Sequence, residues 1–300
     1  MFSLNATLPV FLVIVLGWFL MQKKMFNENF VDIINKFVFK VSLPVLLFKD
    51  IATTPIRDAF DPKFVIFCMV GTTIMFMGIW ALTSIFMKDK SMVGAFTQAS
   101  ARGSAAVLGI AFVQNIYGNS GMTPLMIVSA VPLYNIYSVI ILTFCANNQD
   151  HSDKSATIKR AFKNILTNPI ILGIAAGVPF SLLNIELPPL VLKTVTNVAQ
   201  TATPMALLAV GAGFEGRKAI KKLKPTMIAT FIKLVALPAI YFPFAIAMGF
   251  RESALVAILI MVGSPTTVTC YIMAKNMSND GVLSSSIIVM ATLLSSVTLT

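Results

Sequence analysis

The chain has 300 residues, 57% of them hydrophobic and only 12% charged, with a mean hydropathy of +0.84. A soluble domain carries roughly 25% charged residues, so the composition excludes a soluble enzyme or binding module and points to an integral membrane protein. The net charge of +11 comes with no nucleic-acid-binding module and reads as basic loops beside anionic membrane lipid; neither a nucleic-acid partner nor a cofactor is expected.

Ten runs are long enough for a span of about 20 apolar residues: 5–22, 29–49, 64–87, 92–117, 123–145, 164–183, 189–213, 226–248, 253–274 and 281–300. The first is followed by Gln22-Lys23-Lys24, with no basic stretch before it and no small-residue cleavage site. It therefore reads as a retained span, not a signal peptide. Cys68, Cys145 and Cys270 fall inside runs at no metal-ligand spacing and read as small core residues. The fourth and ninth runs are each interrupted about eleven residues after they begin, by Arg102-Gly103-Ser104-Ala105-Ala106 and by Val262-Gly263-Ser264-Pro265-Thr266-Thr267. At membrane depth such a break is tolerated only where the freed backbone lines a cavity or is buried in protein, because lipid cannot hydrogen-bond it. Between the fifth and sixth runs the polar stretch Ala146 to Asn164 reads as a linker, and its His151 as a solvated loop residue.

The basic residues set an orientation. Fourteen of the 23 Lys and Arg fall in the odd-numbered connections and four in the even-numbered ones, and the basic excess belongs in the cytoplasm. Both termini are then predicted to lie outside. Sliding the second half by 160 positions superposes Pro9 on Pro169, Gly17 on Gly177, Pro44 on Pro204, Gly103 on Gly263 and Gly121 on Gly281; chance gives about one such match, and weak internal symmetry of this kind is the usual trace of transporter repeats. The predicted organisation is a first five-helix repeat over 1–145, a cytoplasmic linker over 146–163 and a second repeat over 164–300. An odd number of spans per repeat makes the second inverted.

The two breaks then meet near the midplane, each beginning a new half-helix. Ser264 before Pro265 has the residue types of an N-cap and first helical position, and Ser104 can cap its own half-helix. Helix N-termini carry partial positive charge and free N–H groups, which together suit an anion; Arg102 adds a full charge. Close packing through small residues is the structural alternative for Gly103, Gly109 and Gly263. Five basic residues lie within runs: Lys36, Lys40, Arg102, Lys193 and Lys233. Lys193 and Lys233 are near enough to span ends to snorkel, and Lys36 can pair with Asp32 one helical turn away. Lys40 and Arg102 are too deep for that and are predicted to face an aqueous cavity or a partner. The candidate substrate-binding residues are Arg102, Gly103, Ser104, Ala105, Gly263, Ser264, Pro265, Thr266, Thr267, Lys40 and Asn135, with Ser42, Tyr134, Asn197, Gln200 and Tyr271 as further polar neighbours. All acidic residues but Asp32 read as lying in connections, so no carboxylate is predicted to carry a proton or Na⁺ through the midplane.

Several stretches resemble the auxin efflux carrier family, which includes plant PIN-formed carriers and bacterial malate and malonate permeases. They are Asn35-Lys36-Phe37-Val38 running to Leu43-Pro44-Val45-Leu46-Leu47-Phe48, Leu108-Gly109-Ile110-Ala111-Phe112 with Ile116-Tyr117-Gly118, Thr167-Asn168-Pro169-Ile170-Ile171, Ala202-Thr203-Pro204-Met205-Ala206-Leu207-Leu208 ending at Gly211, and Ser264-Pro265-Thr266-Thr267-Val268 with Ala274-Lys275. The resemblance implies an all-α membrane fold of ten transmembrane helices in two inverted five-helix repeats. Helices 4 and 9 would be broken and cross at the substrate site. It also implies a scaffold of helices 1, 2, 6 and 7, a mobile remainder, and a homodimer. The family often has Asn or Pro in the helix 4 break, where this chain has Ser104-Ala105.

The function these features support is alternating-access transport of small organic anions, mono- or dicarboxylates such as malate or malonate. The alternatives are a cation/proton antiporter of related fold and a membrane receptor for a small organic acid. The antiporter would need carboxylates at the breaks to offset the helix N-termini, and neither break has one. An intramembrane enzyme would need a spaced metal cluster or a nucleophile and base, and the sequence offers neither.

Overall fold

The computed structural model describes residues 2–53, 61–146 and 154–299; His151 and most of the polar stretch around it fall outside them. The helices run α1 (Phe2–Gln22), α2 (Glu28–Phe37), α3 (Leu43–Ala52), α4 (Pro62–Phe86), α5 (Val93–Ala101), α6 (Ala105–Tyr117), α7 (Thr123–Phe144), α8 (Lys154–Leu166) and α9 (Pro169–Leu183). They continue as α10 (Pro189–Gln200), α11 (Ala202–Ala212), α12 (Gly216–Lys221), α13 (Leu223–Phe231), α14 (Leu237–Ala247), α15 (Glu252–Gly263), α16 (Thr269–Asn276) and α17 (Gly281–Thr298). Among the described residues no strand forms, only one antiparallel bridge, Gly103 with Thr266.

Polar caps start the helices at the ends of the apolar runs. Asn27, Asp61, Asn168 and Asp280 each accept a first-turn N–H of the helix that follows, and Pro62 and Pro169 stand at first helical positions, where a missing N–H costs nothing. Four helices have the length and hydropathy of a membrane span: Pro62–Phe86, Thr123–Phe144, Leu223–Ala247, which includes a π turn, and Gly281–Thr298. Three other apolar helices, Thr7–Gln22, Pro169–Leu183 and Glu252–Gly263, are shorter. Four of the ten predicted spans are thus helices of full spanning length, and several of the other runs are divided locally. The fourth and ninth are cut at their breaks, the seventh turns at Thr201 between α10 and α11, and the second carries a π turn at Val38–Ser42. A matching π turn, Ile232–Ala236, lies between α13 and α14. Both π turns run straight into a Leu-Pro pair, Leu43-Pro44 and Leu237-Pro238. Proline has no N–H to continue the i→i−4 ladder, and in each case the leucine N–H reaches back five residues instead, to Val38 O or Ile232 O. The predicted linker is helical from Lys154 onward, as α8.

α4 shows the membrane character directly: Phe64, Cys68, Met75, Phe76 and Ile79 are buried, while Ile66, Ile74 and Leu82 on the opposite face are more than half exposed. A helix apolar all round needs an apolar medium on its outer side. Two large clusters make up most of the interior. One gathers Phe64, Phe76, Ala101, Ala105, Tyr134 and Met261; the other gathers Ile14, Leu43, Leu47, Ile174, Ala206 and Leu207. Within the second, backbones touch through glycine. A Cβ at Gly17 would stand 2.3 Å from Leu208 O, one at Gly177 2.9 Å from Phe48 O, and one at Gly211 1.9 Å from Ile14 O. Thus α1 lies directly on α11, and α9 on α3. Small residues allow this approach where lipid supplies no hydrophobic force between helices.

Candidate functional site

α5 ends at Ala101, α6 begins at Ala105, α15 ends at Gly263 and α16 begins at Thr269. The intervening segments run antiparallel: Gly103 bridges Thr266, and Ser104 N–H donates to Pro265 O at 2.9 Å. Four half-helix ends converge on this junction. Two of them, of α5 and α15, are C-terminal ends whose last carbonyls need partners, and several of these carbonyls have them. Thr266 Oγ1 donates to Ala99 O at 2.7 Å, Tyr134 OH to Met261 O at 2.8 Å, and Lys233 Nζ to Val262 O at 2.9 Å. Tyr134→Phe removes one of these donors and should lower stability by about 1 kcal/mol, with transport per folded molecule retained; thermal unfolding compared with uptake checks both halves of that expectation.

Ser264 is not an N-cap. It closes α15 with ψ 152°, because the residue before a proline is pushed out of the helical region. Pro265 belongs to the extended bridge, and α16 starts four residues later behind Val268. Ser104 does precede α6, but its hydroxyl makes no capping bond.

A cavity of about 100 Å³ opens where the two core clusters meet, room for several water-sized groups. Its walls are Arg102, Gly103, Ser104 and Ala105 from the first break, Pro265, Thr266 and Thr267 from the second, and residues of α1, α3, α7, α11 and α17 around them. The first residues of α6 and α16 both line it, so two helix N-termini face the same space. Arg102 is 5% exposed. One guanidinium nitrogen donates to Asn135 Oδ1 at 2.8 Å and another to Met273 Sδ at 3.0 Å. A guanidinium offers five N–H donors, and no carboxylate among the described residues pairs with this one; the ion pairs are Lys49–Asp50, Lys218–Glu215 and Lys222–Asp280. A charge taken out of water without a counter-charge is costly. An anion entering the cavity supplies one.

Asn135 is fully buried behind Arg102 and is a support, not a wall residue. Gly263 and Ser264 are buried behind the bridge: a Cβ at Gly263 would meet the Pro238 ring at 2.9 Å. Lys40 is not at the junction. It is exposed on the outer face beside Phe37 and Val41 and lines no part of the cavity, since depth along a run does not tell which way a helix faces. Lys36 and Asp32 are likewise exposed, with no ion pair between them. Of the polar neighbours, Tyr134 lines the cavity, Ser42 bonds to Thr201, and Asn197 and Gln200 are exposed. Two residues at the junction escaped the sequence reading. Asp50, assigned to a connection, belongs to α3 and stands on the cavity wall beside Lys49. Lys233, predicted to snorkel, is fully buried; the absence of any acid within a turn of it was the available signal.

Residues 2–300 match the family profile described as Membrane transport protein. The chain belongs to this family, that of the auxin efflux carriers. It is 24% identical over 301 residues to a protein of Rhizobium meliloti (strain 1021) named "Putative malonate transporter", covering 98% of this chain and 92% of that protein. It is also 24% identical over 246 residues to "Uncharacterized transporter YfdV" of Escherichia coli (strain K12), covering 79% and 76% of the two. This chain is accordingly a membrane transporter, and the junction of its broken helices is the candidate place for a transported solute.

Proposed function

We propose that this transporter carries small organic anions, mono- or dicarboxylates of the size of malonate or malate, by alternating access, holding the anion where the two broken helices meet. The observation that carries this reading is Arg102, a buried cation with no carboxylate partner among the described residues, which helps line a small cavity onto which two helix N-termini also open. The name of the Rhizobium meliloti relative points to the same substrate class. A cation carrier is less well supported: Asp50 on the cavity wall is already engaged by Lys49 at 3.0 Å. Purified protein in liposomes should exchange labelled malonate or malate for internal unlabelled acid. If it exchanges neither these nor any other small carboxylate, the anion reading is wrong.

The framework proposed for this cycle is ten spans in two inverted repeats, over 1–145 and 164–300, joined by a cytoplasmic linker. Its support is a pair of contacts. Gly17 on Leu208 O and Gly177 on Phe48 O are the same contact read from either half, because 17 and 177, like 48 and 208, are 160 positions apart. The cluster built on α1, α3, α9 and α11 would be the scaffold, and the cluster holding the breaks the moving part. A homodimer in the membrane completes the proposal. The basic-residue distribution supports an orientation with both termini outside, in which case, in a background lacking Cys68, Cys145 and Cys270, a cysteine at Ser152 should be labelled from the cytoplasm and one at Asn119 from outside. The reverse pattern would overturn the orientation.

A further inference from the structure

The junction contains a second cation that the proposed anion site does not use. Lys233 is 0% exposed, and no described carboxylate pairs with it. Its Nζ lies 2.9 Å from Val262 O, 3.2 Å from Ala101 O and 3.3 Å from Met261 O. These carbonyls lie in the last turns of α15 and α5, so the C-terminal ends of both first half-helices close on one nitrogen. Three acceptors around that nitrogen match the three N–H groups of an ammonium, whereas a neutral amine would turn its lone pair on one of them. Both helix ends also bring partial negative charge to this point.

Carbonyls gathered at the ends of broken helices are, in transporters generally, where a coupling cation is coordinated. Here the space is filled. A Cβ at Gly103 would stand only 2.9 Å from Lys233 Nζ and 3.1 Å from its Cε. The π turn Ile232–Ala236 widens the helix at this residue and aims its side chain across the junction. Arg102, on the cavity side of the same break, is a further positive charge that repels a free cation.

We infer that Lys233 is a built-in counter-cation, its ammonium standing where the half-helix carbonyls would otherwise hold a transported Na⁺, so that this transporter works without sodium coupling. A tethered ammonium cannot be released on either side of the membrane, and no sodium gradient can therefore act through this point.

The test needs no organic acid and so stands apart from the anion reading. Thermal unfolding of the purified full chain is followed in NaCl and in choline chloride at equal ionic strength, for the wild type and for Lys233→Ala. The wild type should unfold at the same temperature in both salts. Lys233→Ala should unfold several degrees lower in choline and recover part of that loss in NaCl or propylammonium chloride, but not in propanol, which has the shape of the missing side chain without its charge. Stabilisation of the wild type by sodium would overturn the inference, as would a Lys233→Ala protein indifferent to every small cation. Should Lys233→Ala fail to fold, Lys233→Met, which keeps most of the side chain's length without its charge, is expected to unfold several degrees below the wild type; a Met variant as stable as the wild type contradicts the role. The wild-type salt comparison decides the sodium question in either case.

Discussion

Arg102→Ala should remove most organic-acid binding from otherwise folded protein. Arg102 is one of the residues that line the cavity, and two of its guanidinium nitrogens are bonded, to Asn135 Oδ1 and Met273 Sδ; of its five N–H donors this leaves some for a carboxylate. A hydrogen bond to a charged group contributes roughly 1.5–3 kcal/mol, so the loss should be about 10- to 100-fold in affinity. Arg102→Lys should fall between, because an ammonium cannot reproduce the planar two-pronged contact of a guanidinium with a carboxylate. The alanine variant will also lose some stability, since Asn135 Oδ1 is buried and loses the donor it has. Affinity must therefore be measured by calorimetry on the folded, monodisperse fraction, with Lys193→Ala, an exposed residue in the first half of α10 that does not line the cavity, as the mild control. Unchanged affinity without Arg102 would take it out of the site.

A second large effect is expected at Gly211, where it concerns the frame and not the cavity. A Cβ there would stand 1.9 Å from Ile14 O and 2.9 Å from Trp18 N, and these atoms are backbone, which cannot swing aside. Overpacking a core usually costs about 1–3 kcal/mol; here α1 would have to move off α11, so Gly211→Ala should cost at least the upper end of that range and sharply reduce folded protein. Gly78 makes the matched control. Nothing lies within 4 Å of the Cβ it lacks, and alanine there should be neutral or slightly stabilising through helix propensity. Comparing the yield and melting temperature of the two variants tests whether the α1–α11 contact is as close as described. Equal behaviour would contradict it.

The positions of the two breaks were legible because Gly103, Ser104, Gly263, Ser264 and Pro265 are residues that a continuous membrane helix does not place together without a reason. What they do locally was less so. Ser264 and Pro265 have the types of a cap and first turn, yet Pro265 acts on the residue before it and holds the segment extended, so that the helix starts only at Thr269. The lysines show a sharper limit. Lys40 and Lys233 each sit in a π turn ahead of a Leu-Pro pair, and depth along the run singled out the wrong one. Direction around a helix is decided by the neighbours it packs on. Those neighbours come from the other half of the chain: Ala101 O lies 132 positions from Lys233. Asp50 was missed for a plainer reason, since α3 continues to Ala52, past the end of the apolar run.

The central claim is that an anion is held where the breaks meet, and seeing it there is the direct measurement. Crystals of the purified protein grown with bromomalonate, whose bromine scatters anomalously, should show one strong anomalous peak in the cavity, with a carboxylate of the same molecule within hydrogen-bond reach of Arg102 and of the first N–H groups of α6 or α16. A peak elsewhere in the protein, beside a cavity that stays without the acid at saturating concentration, would contradict the account.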